Sequence, residues 1–234
     1  RWRPAPSRSG TDGSRDAGHL QMTDTPKPPT PAAFWDQRYA GTEFAFGTEP
    51  NAFLAAQRPL LAPGMRALVP GDGEGRHGVW LAGLGLEVET VDASPLGVVK
   101  ARKLAAERGV RITASVADLT TWTWPAARFD VVASIYLHWA PSVRERIHAG
   151  MLGALKPGGL LILEAYAPRQ LVHRAAGSVG GPPDVAMLFT TELLRADFAA
   201  ADILQLDEVE LVVTEGKRHC GLSSIVRLLA RRRT

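Results

Sequence analysis

The chain has one cysteine, Cys220, in 234 residues. A single thiol excludes an internal disulfide and any zinc site built from several cysteines, and no metal is expected. No stretch approaches the run of about 18 apolar residues that a membrane-spanning helix needs, so no membrane contact is expected. The N-terminal leader has no apolar core of the kind a secretory signal carries; the expected compartment is the cytoplasm. Charge of one sign is scarce too. The net charge is +3, and it sits at the ends: residues 1–21 hold four arginines against two aspartates, and Arg231, Arg232 and Arg233 close the chain. The stretch between is slightly acidic and offers no basic groove, so nucleic acid is not an expected partner.

Residues 1–33 are poor in apolar side chains and contain six prolines. Such a segment cannot bury enough surface to offset its ordering entropy and is expected to be disordered. Met22 is a candidate natural start, with residues 1–21 either upstream sequence or a flexible tail. Order is expected from Phe34, and residues 34–234, in a chain that is 45% hydrophobic, suffice for one α/β domain.

Glycine is abundant where it matters. A short apolar run, Ala67-Leu68-Val69, leads through Pro70 into Gly71-Asp72-Gly73-Glu74-Gly75, and Arg76 to Leu84 then has helical character. A strand, glycine loop and helix in this order bring backbone N–H groups and a helix start close to a ligand; a plain tight turn is the other reading. Dinucleotide sites use G-x-G-x-x-G, and here the third glycine would have to stand at Arg76. Asp92 adds weight. It ends a second apolar run, Val88 to Val91, 21 residues beyond Gly71, where a carboxylate is placed to bind the two hydroxyls of a ribose.

The rest alternates strand and helix. Strands are expected at Met65–Val69, Glu87–Val91, Arg111–Val116, Asp130–Ile135 and Leu160–Glu164, the last entered through a turn at Lys156-Pro157-Gly158-Gly159. Ser94-Pro95 gives a helix cap and a first-turn proline, and Gly109 a stop. Val143, Ile147 and Met151 mark a buried helix stripe from which His148 should face solvent. Residues 167–183 are Gly/Pro-rich and are expected to form a long loop beside the site. Thr190 starts a short helix. Ile203–Val213 and Ser224–Ala230 have no helix between them and should pair antiparallel, connected by residues 215–221. The pattern predicts an α/β, Rossmann-like three-layer sandwich with a seven-stranded, mostly parallel sheet ending in an antiparallel hairpin. Residues 34–60 are aromatic-rich and form either a helix covering a sheet edge or a lid over a ligand.

These motifs resemble the class I S-adenosylmethionine-dependent methyltransferases. More narrowly, the chain is similar to small bacterial enzymes of the tellurite-resistance and thiopurine type. The resemblance is carried by Trp35-Asp36-Gln37-Arg38-Tyr39, Phe46-Gly47-Thr48-Glu49-Pro50-Asn51, the glycine loop with Arg76, Val91-Asp92-Ala93-Ser94 and Ala117-Asp118-Leu119. It implies S-adenosylmethionine as cofactor. It further implies that Gly71, Asp72, Gly73, Gly75 and Arg76 lie around the methionine part, Asp92, Ala93 and Ser94 at the ribose, and Asp118 and Leu119 at the adenine. Trp35 and Arg38 would come from the lid. The family's usual acid two residues before the first glycine is replaced here by Val69.

On the acceptor side the candidate catalytic residues are His219, Arg218 and His138. His219 and Arg218 lie in the expected hairpin connection, where a solvated turn is the alternative. His138 follows the fourth strand, where a packed residue is the alternative. The partner is a small-molecule methyl acceptor. A soft nucleophile, either a thiol or a tellurium or selenium oxyanion, is one reading. Oxygen or nitrogen of a small metabolite is the second, and a non-catalytic cofactor-binding protein the third.

Overall fold

A computed structural model gives the structure over residues 30–234; the expectation of disorder up to residue 29 lies outside the described residues. The first helix, α1 (Pro31–Tyr39), is capped by the Thr30 side chain and starts three residues before the expected boundary. α2 (Ala52–Ala56) follows an irregular strap. Then come β1 (Arg66–Pro70), α3 (Arg76–Gly83), β2 (Glu87–Asp92), α4 (Pro95–Glu107), β3 (Thr113–Val116), β4 (Phe129–Ile135), α5 (Pro141–Ala154) and β5 (Leu155–Tyr166). The chain ends with α6 (Gln170–Ala175), α7 (Thr191–Asp197), β6 (Ala201–Glu215) and β7 (His219–Arg232).

The seven strands form one sheet in the order β3-β2-β1-β4-β5-β7-β6. β1 to β5 run parallel, and β7 lies antiparallel to both β5 and β6. The order reverses at β1, between β2 and β4. In such sheets ligands bind beyond the carboxyl ends of the strands at that reversal. Local signals fix the elements that frame it. Ser94 Oγ accepts the Gly97 N–H at 2.9 Å and Pro95 fills the first turn of α4, which stops at Gly109 with a φ of 67°. β4 is buried on both faces from Val131 to Ile135, as a central parallel strand must be, with Asp130 at its start and Ser134 as its polar residues. Two apolar layers cover the sheet, one including Phe129, Ile147, Met151, Phe189 and Phe198, the other Phe53, Leu54, Leu81 and Ile162.

Several expectations need correction. Residues 156–159 are not a turn before β5 but a bulge within it: pairing steps from Phe129–Leu155 directly to Val131–Leu160. Residues 167–183 are not all loop, since α6 forms inside them. The hairpin strands are longer than expected, and only Gly216, Lys217 and Arg218 connect them. His148 is fully buried. Its ring packs between Phe189 and Phe198, and its Nδ1 lies 2.7 Å from Asp197 Oδ2, which also accepts from Arg144 Nε at 2.8 Å. The burial comes from α7 docking on α5, a contact that the α5 stripe alone does not reveal. Among the described residues no helix is long and apolar enough to cross a membrane.

Candidate functional site

The loop 71–75 leaves β1 and turns into α3 with all three glycines at positive φ. The sequence suggests that their missing side chains admit a ligand. The structure gives another reason. A Cβ on Gly71 would come within 2.5 Å of Leu137 Cδ1, one on Gly73 would strike the Tyr39 hydroxyl, and one on Gly75 would lie 2.7 Å from Ala101 Cα. The three N–H groups are also used within the protein, donating to Val91 O, Asp92 Oδ2 and Asp72 O. The glycines therefore pack the loop against α1, α4 and the segment after β4.

Asp72 is turned inward. Its carboxylate accepts from the backbone N–H of His77 (3.3 Å) and Gly78 (3.1 Å), so it caps α3, whose first residues have no other side-chain cap. Burial pushes its pKa up to about 8, against the pull of those two N–H groups. His77, likewise buried, is held well below its ordinary value by burial and by Arg76.

A small cavity of about 60 Å³ opens at this loop. Trp35, Tyr39 and Phe46 form one wall, Gly71, Asp72, Arg76 and His77 the floor, and Tyr136 and His219 the far side. Trp35 stacks on Tyr39 at 5.7 Å, and the His219 ring lies 4.6 Å from Phe46 and 4.4 Å from Tyr136. His77 Nε2 and His219 Nδ1 are buried without a hydrogen-bond partner. A buried polar atom without a partner is costly, and these two, together with the likewise unpartnered Tyr136 hydroxyl, mark a place built to receive polar groups. Burial, Arg76 and His138 hold the His219 pKa down at about 3, so the ring is neutral near neutrality.

Asp92 ends β2 and Asp118 follows the end of β3 by two residues, neither of them lining this cavity; Asp92 pairs with Val116 and accepts the Ala117 N–H through its carbonyl. The Asp92 carboxylate accepts from Gly73 N and Ser94 N, both at 2.8 Å, one bond to each oxygen. Each oxygen keeps acceptor capacity. Burial raises its pKa. Ala93 lies between these two, half-buried, and Ser94 Oγ meets Asp36 of α1. Asp118 Oδ1 accepts from Thr120 N and Oγ1, an Asx turn. The Leu119 side chain is in the core, so only its backbone faces the strand ends.

Of the remaining sequence candidates, Trp35, Arg76 and His219 reach the cavity and three do not. His138 is a correction: its Nδ1 is 2.8 Å from Met187 O and its Nε2 accepts the Tyr166 N–H at 3.2 Å, so both nitrogens join segments of backbone. Burial lowers its pKa to about 4. Arg38 lies 3.6 Å above the Phe34 ring, outside the cavity lining. Arg218 is exposed on the hairpin turn, close enough to Arg38 to lower its pKa, although burial contributes more to that shift.

Sequence reasoning missed the network that holds the site closed. Asn51 Nδ2 donates to Glu164 Oε1 (2.6 Å) and to Glu215 Oε1 (2.8 Å). Arg227 Nε donates to the other oxygen of Glu164 at 2.7 Å, and Arg76 lies 2.7 Å from the other oxygen of Glu215. Glu74 pins the strap by accepting from Ala45 N at 2.7 Å and Lys100 Nζ at 2.8 Å. Glu43 and Lys217 pair at 2.5 Å, and Gly216 fits against the Phe46 backbone. Only the Gly216 and Asn51 positions carried a local signal, as a turn residue and a helix cap.

The shifted groups predict the pH dependence of stability. His77, His138 and His219 have depressed folded-state pKa values, so below about pH 6.5 the unfolded chain binds protons that the folded one does not, and stability falls with pH. Asp72 has a raised pKa, so from about pH 4 to 8 its contribution falls as pH rises. Thermal unfolding should show maximal stability near pH 6.5. Asp72→Asn, which keeps one acceptor oxygen, should flatten the alkaline limb and leave the acid limb. An unchanged alkaline slope in that variant would remove Asp72 as its cause.

Residues 67–159 match the profile of a family described as a methyltransferase domain. No curated protein sequence matches the chain. Many solved structures share the fold, three of them as follows. A protein whose structure accompanies the conversion of a disulfide bond into a thioacetal group in echinomycin biosynthesis is 22% identical, with a TM-score of 0.69 over 87% of this chain and 90% of its own. TehB from Haemophilus influenzae is 16% identical, with a TM-score of 0.62 over 86% of this chain and 67% of its own. A SAM-dependent methyltransferase from Methanosarcina mazei is 18% identical, with a TM-score of 0.62 over 79% of this chain and 99% of its own.

Proposed function

We propose that this chain, whose residues 67–159 match a methyltransferase domain, is a class I S-adenosylmethionine-dependent methyltransferase and that it methylates a small soft nucleophile at the cavity between the glycine loop and His219. The observation that carries the reading is the cavity itself: an aromatic wall, two unpartnered buried imidazole nitrogens, a His219 too weak to act as a base, and an Asp72 carboxylate that is occupied by the N–H groups at the start of α3. The glycine loop and Asp92 would hold S-adenosylmethionine there, which would supply an electrophilic methyl group whose leaving group is a neutral thioether.

The residues suit that group. Asp92 offers free lone pairs where a ribose would lie, Asp118, just past the end of β3, lies on the adenine side, and Ala93, Ser94 and Leu119 supply backbone between them. Gly71, Asp72, Gly73, Gly75 and Arg76 shape the floor, and the faces of Trp35, Tyr39 and Phe46 suit a cation. Asp72 acts by fixing the start of α3, and Arg76 by its pairing with Glu215. Arg38 and Arg218 stand outside the cavity and steer charge at its mouth.

A soft nucleophile fits the weakness of the available base. An imidazole with a pKa of about 3 cannot hold a proton taken from a thiol. A thiol would instead release its proton to water and react as the thiolate, with His219 as a neutral hydrogen-bonding partner. Orientation and exclusion of water then carry most of the rate. His219→Ala should lower turnover by about 10-fold or more through loss of one polar contact, with near-normal cofactor affinity by calorimetry. Its pH–rate profile should keep the wild-type inflections. Turnover equal to wild type would return His219 to a packing role. Radiolabelled methyl transfer to a panel of thiols, oxyanions, phenols and amines tests the acceptor class; product from phenols or amines alone would reject the soft-nucleophile reading. Tight cofactor binding with no transfer to any of them would favour a sensor.

A further inference from the structure

A second cavity, of about 330 Å³, lies between the strap and the hairpin. Phe46 to Pro50 and Ala52 form one side, β6 from Leu211 to Glu215 the other, with Gly216 at the turn. It shares Phe46, Gly47, Arg76 and Tyr136 with the small cavity, so the two meet at these residues. Its size falls within the range of small-molecule sites, about 300–1,000 Å³.

Tyr136 marks the junction. It has a φ of 54°, which a bulky side chain rarely adopts and which survives only where surrounding contacts enforce it. Its ring stacks on Tyr166 at 4.8 Å and meets the edge of His219 at 4.4 Å. The strained backbone thus aims an aromatic face between the chamber and the place of methyl transfer.

The chamber carries charge but offers none. Arg76 is matched by Glu215 and Arg227 by Glu164, each at 2.7 Å, and Asn51 bridges the two carboxylates. The remaining ionic side chain on its wall, Glu49, is negative and pairs outward with Arg108 at 2.8 Å. An anion entering would find each guanidinium already neutralised by a carboxylate, so it would gain N–H contacts but little net attraction to set against its own desolvation. The rest of the wall is uncharged: Phe46, Pro50, Ala52, Leu211, Val212 and Val213 give it apolar surface, and Thr48 and Thr214 add the side-chain hydroxyls.

We propose that this chamber is the acceptor site and that it takes an uncharged acceptor with an apolar body, not an oxyanion. The assignment rests on the methyltransferase reading above and narrows it: of the soft nucleophiles, it selects thiols without a carboxylate over tellurium or selenium oxyanions. Arg38 and Arg218, outside both cavities, do not alter the balance within.

The test is calorimetric and does not depend on turnover. Full-length protein is first titrated with S-adenosylhomocysteine. The complex is then titrated with thioanisole, the uncharged product of thiol methylation, and separately with selenite. Thioanisole should bind and selenite should not. Ala52→Trp, at an exposed position on the chamber wall, should weaken thioanisole by about 10-fold or more, as filling an apolar pocket does. It should leave S-adenosylhomocysteine affinity within about twofold, as expected for separated sites. Selenite binding more tightly than thioanisole, thioanisole failing to bind the complex, or an unchanged thioanisole affinity in the variant would each overturn the chamber assignment while leaving the methyltransferase reading standing. Failure of S-adenosylhomocysteine itself to bind would end both.

Discussion

Asn51→Leu is expected to destabilise the folded chain by about 3–5 kcal/mol, the cost of breaking a buried charge network by removing one partner. Leucine is close to asparagine in size, so the effect is polar and not a matter of a cavity. The side-chain amide gives one N–H to each of two buried carboxylates, Glu164 and Glu215, which would otherwise face each other with only their guanidinium partners. Its oxygen also caps α2 through Leu54 N at 3.0 Å, a further contribution of about 1 kcal/mol. Denaturant unfolding at pH 7 should show a lower midpoint with an unchanged slope. Asn51→Asp should be worse at pH 7, because it adds a third carboxylate, and should recover part of its loss as the pH is lowered through the carboxylate range. A midpoint equal to wild type in the leucine variant would mean that the two carboxylates are satisfied without the amide.

The fold was legible because its determinants are local. Ser94-Pro95 starts α4 and Gly109 stops it whatever lies elsewhere, and the apolar run of β4 predicts a central strand. The glycine spacing placed the loop, and the distance to Asp92 placed the second strand end. What the glycines do was not legible: whether a missing Cβ makes room for a ligand or for Leu137, Tyr39 and Ala101 depends on chain far from the loop. The same holds for the site's polar groups. Asn51 reaches partners 113 and 164 residues away, and no window of sequence contains both ends. His219 looked like a turn residue because it lies between Gly216 and Gly221; the pairing of Glu215 with His219, Thr214 with Cys220 and Val213 with Gly221 extends the hairpin through residues 219–221. His148 shows the reverse error. A helix stripe gives the face packed on the sheet, but a second helix can cover the flank beside it, and α7 does.

Asp92→Asn is expected to weaken S-adenosylmethionine binding by about 100-fold, which corresponds to losing roughly 3 kcal/mol of charge-assisted hydrogen bonding. The fold should survive, because an amide oxygen can still accept one of the two N–H groups, Gly73 or Ser94, that the carboxylate holds. Asp92→Ala should differ in kind. It leaves both buried donors without a partner, each costing about 1–3 kcal/mol, so affinity and stability fall together and the glycine loop loses its tie to β2. Calorimetry with S-adenosylmethionine and unfolding of the same two proteins separate these effects. If Asp92 binds a ribose, the asparagine variant is stable and binds poorly. If Asp92 only ties the loop, the asparagine variant keeps most of its affinity, the alanine variant loses affinity only as far as it loses stability, and Asp92 leaves the proposed cofactor site.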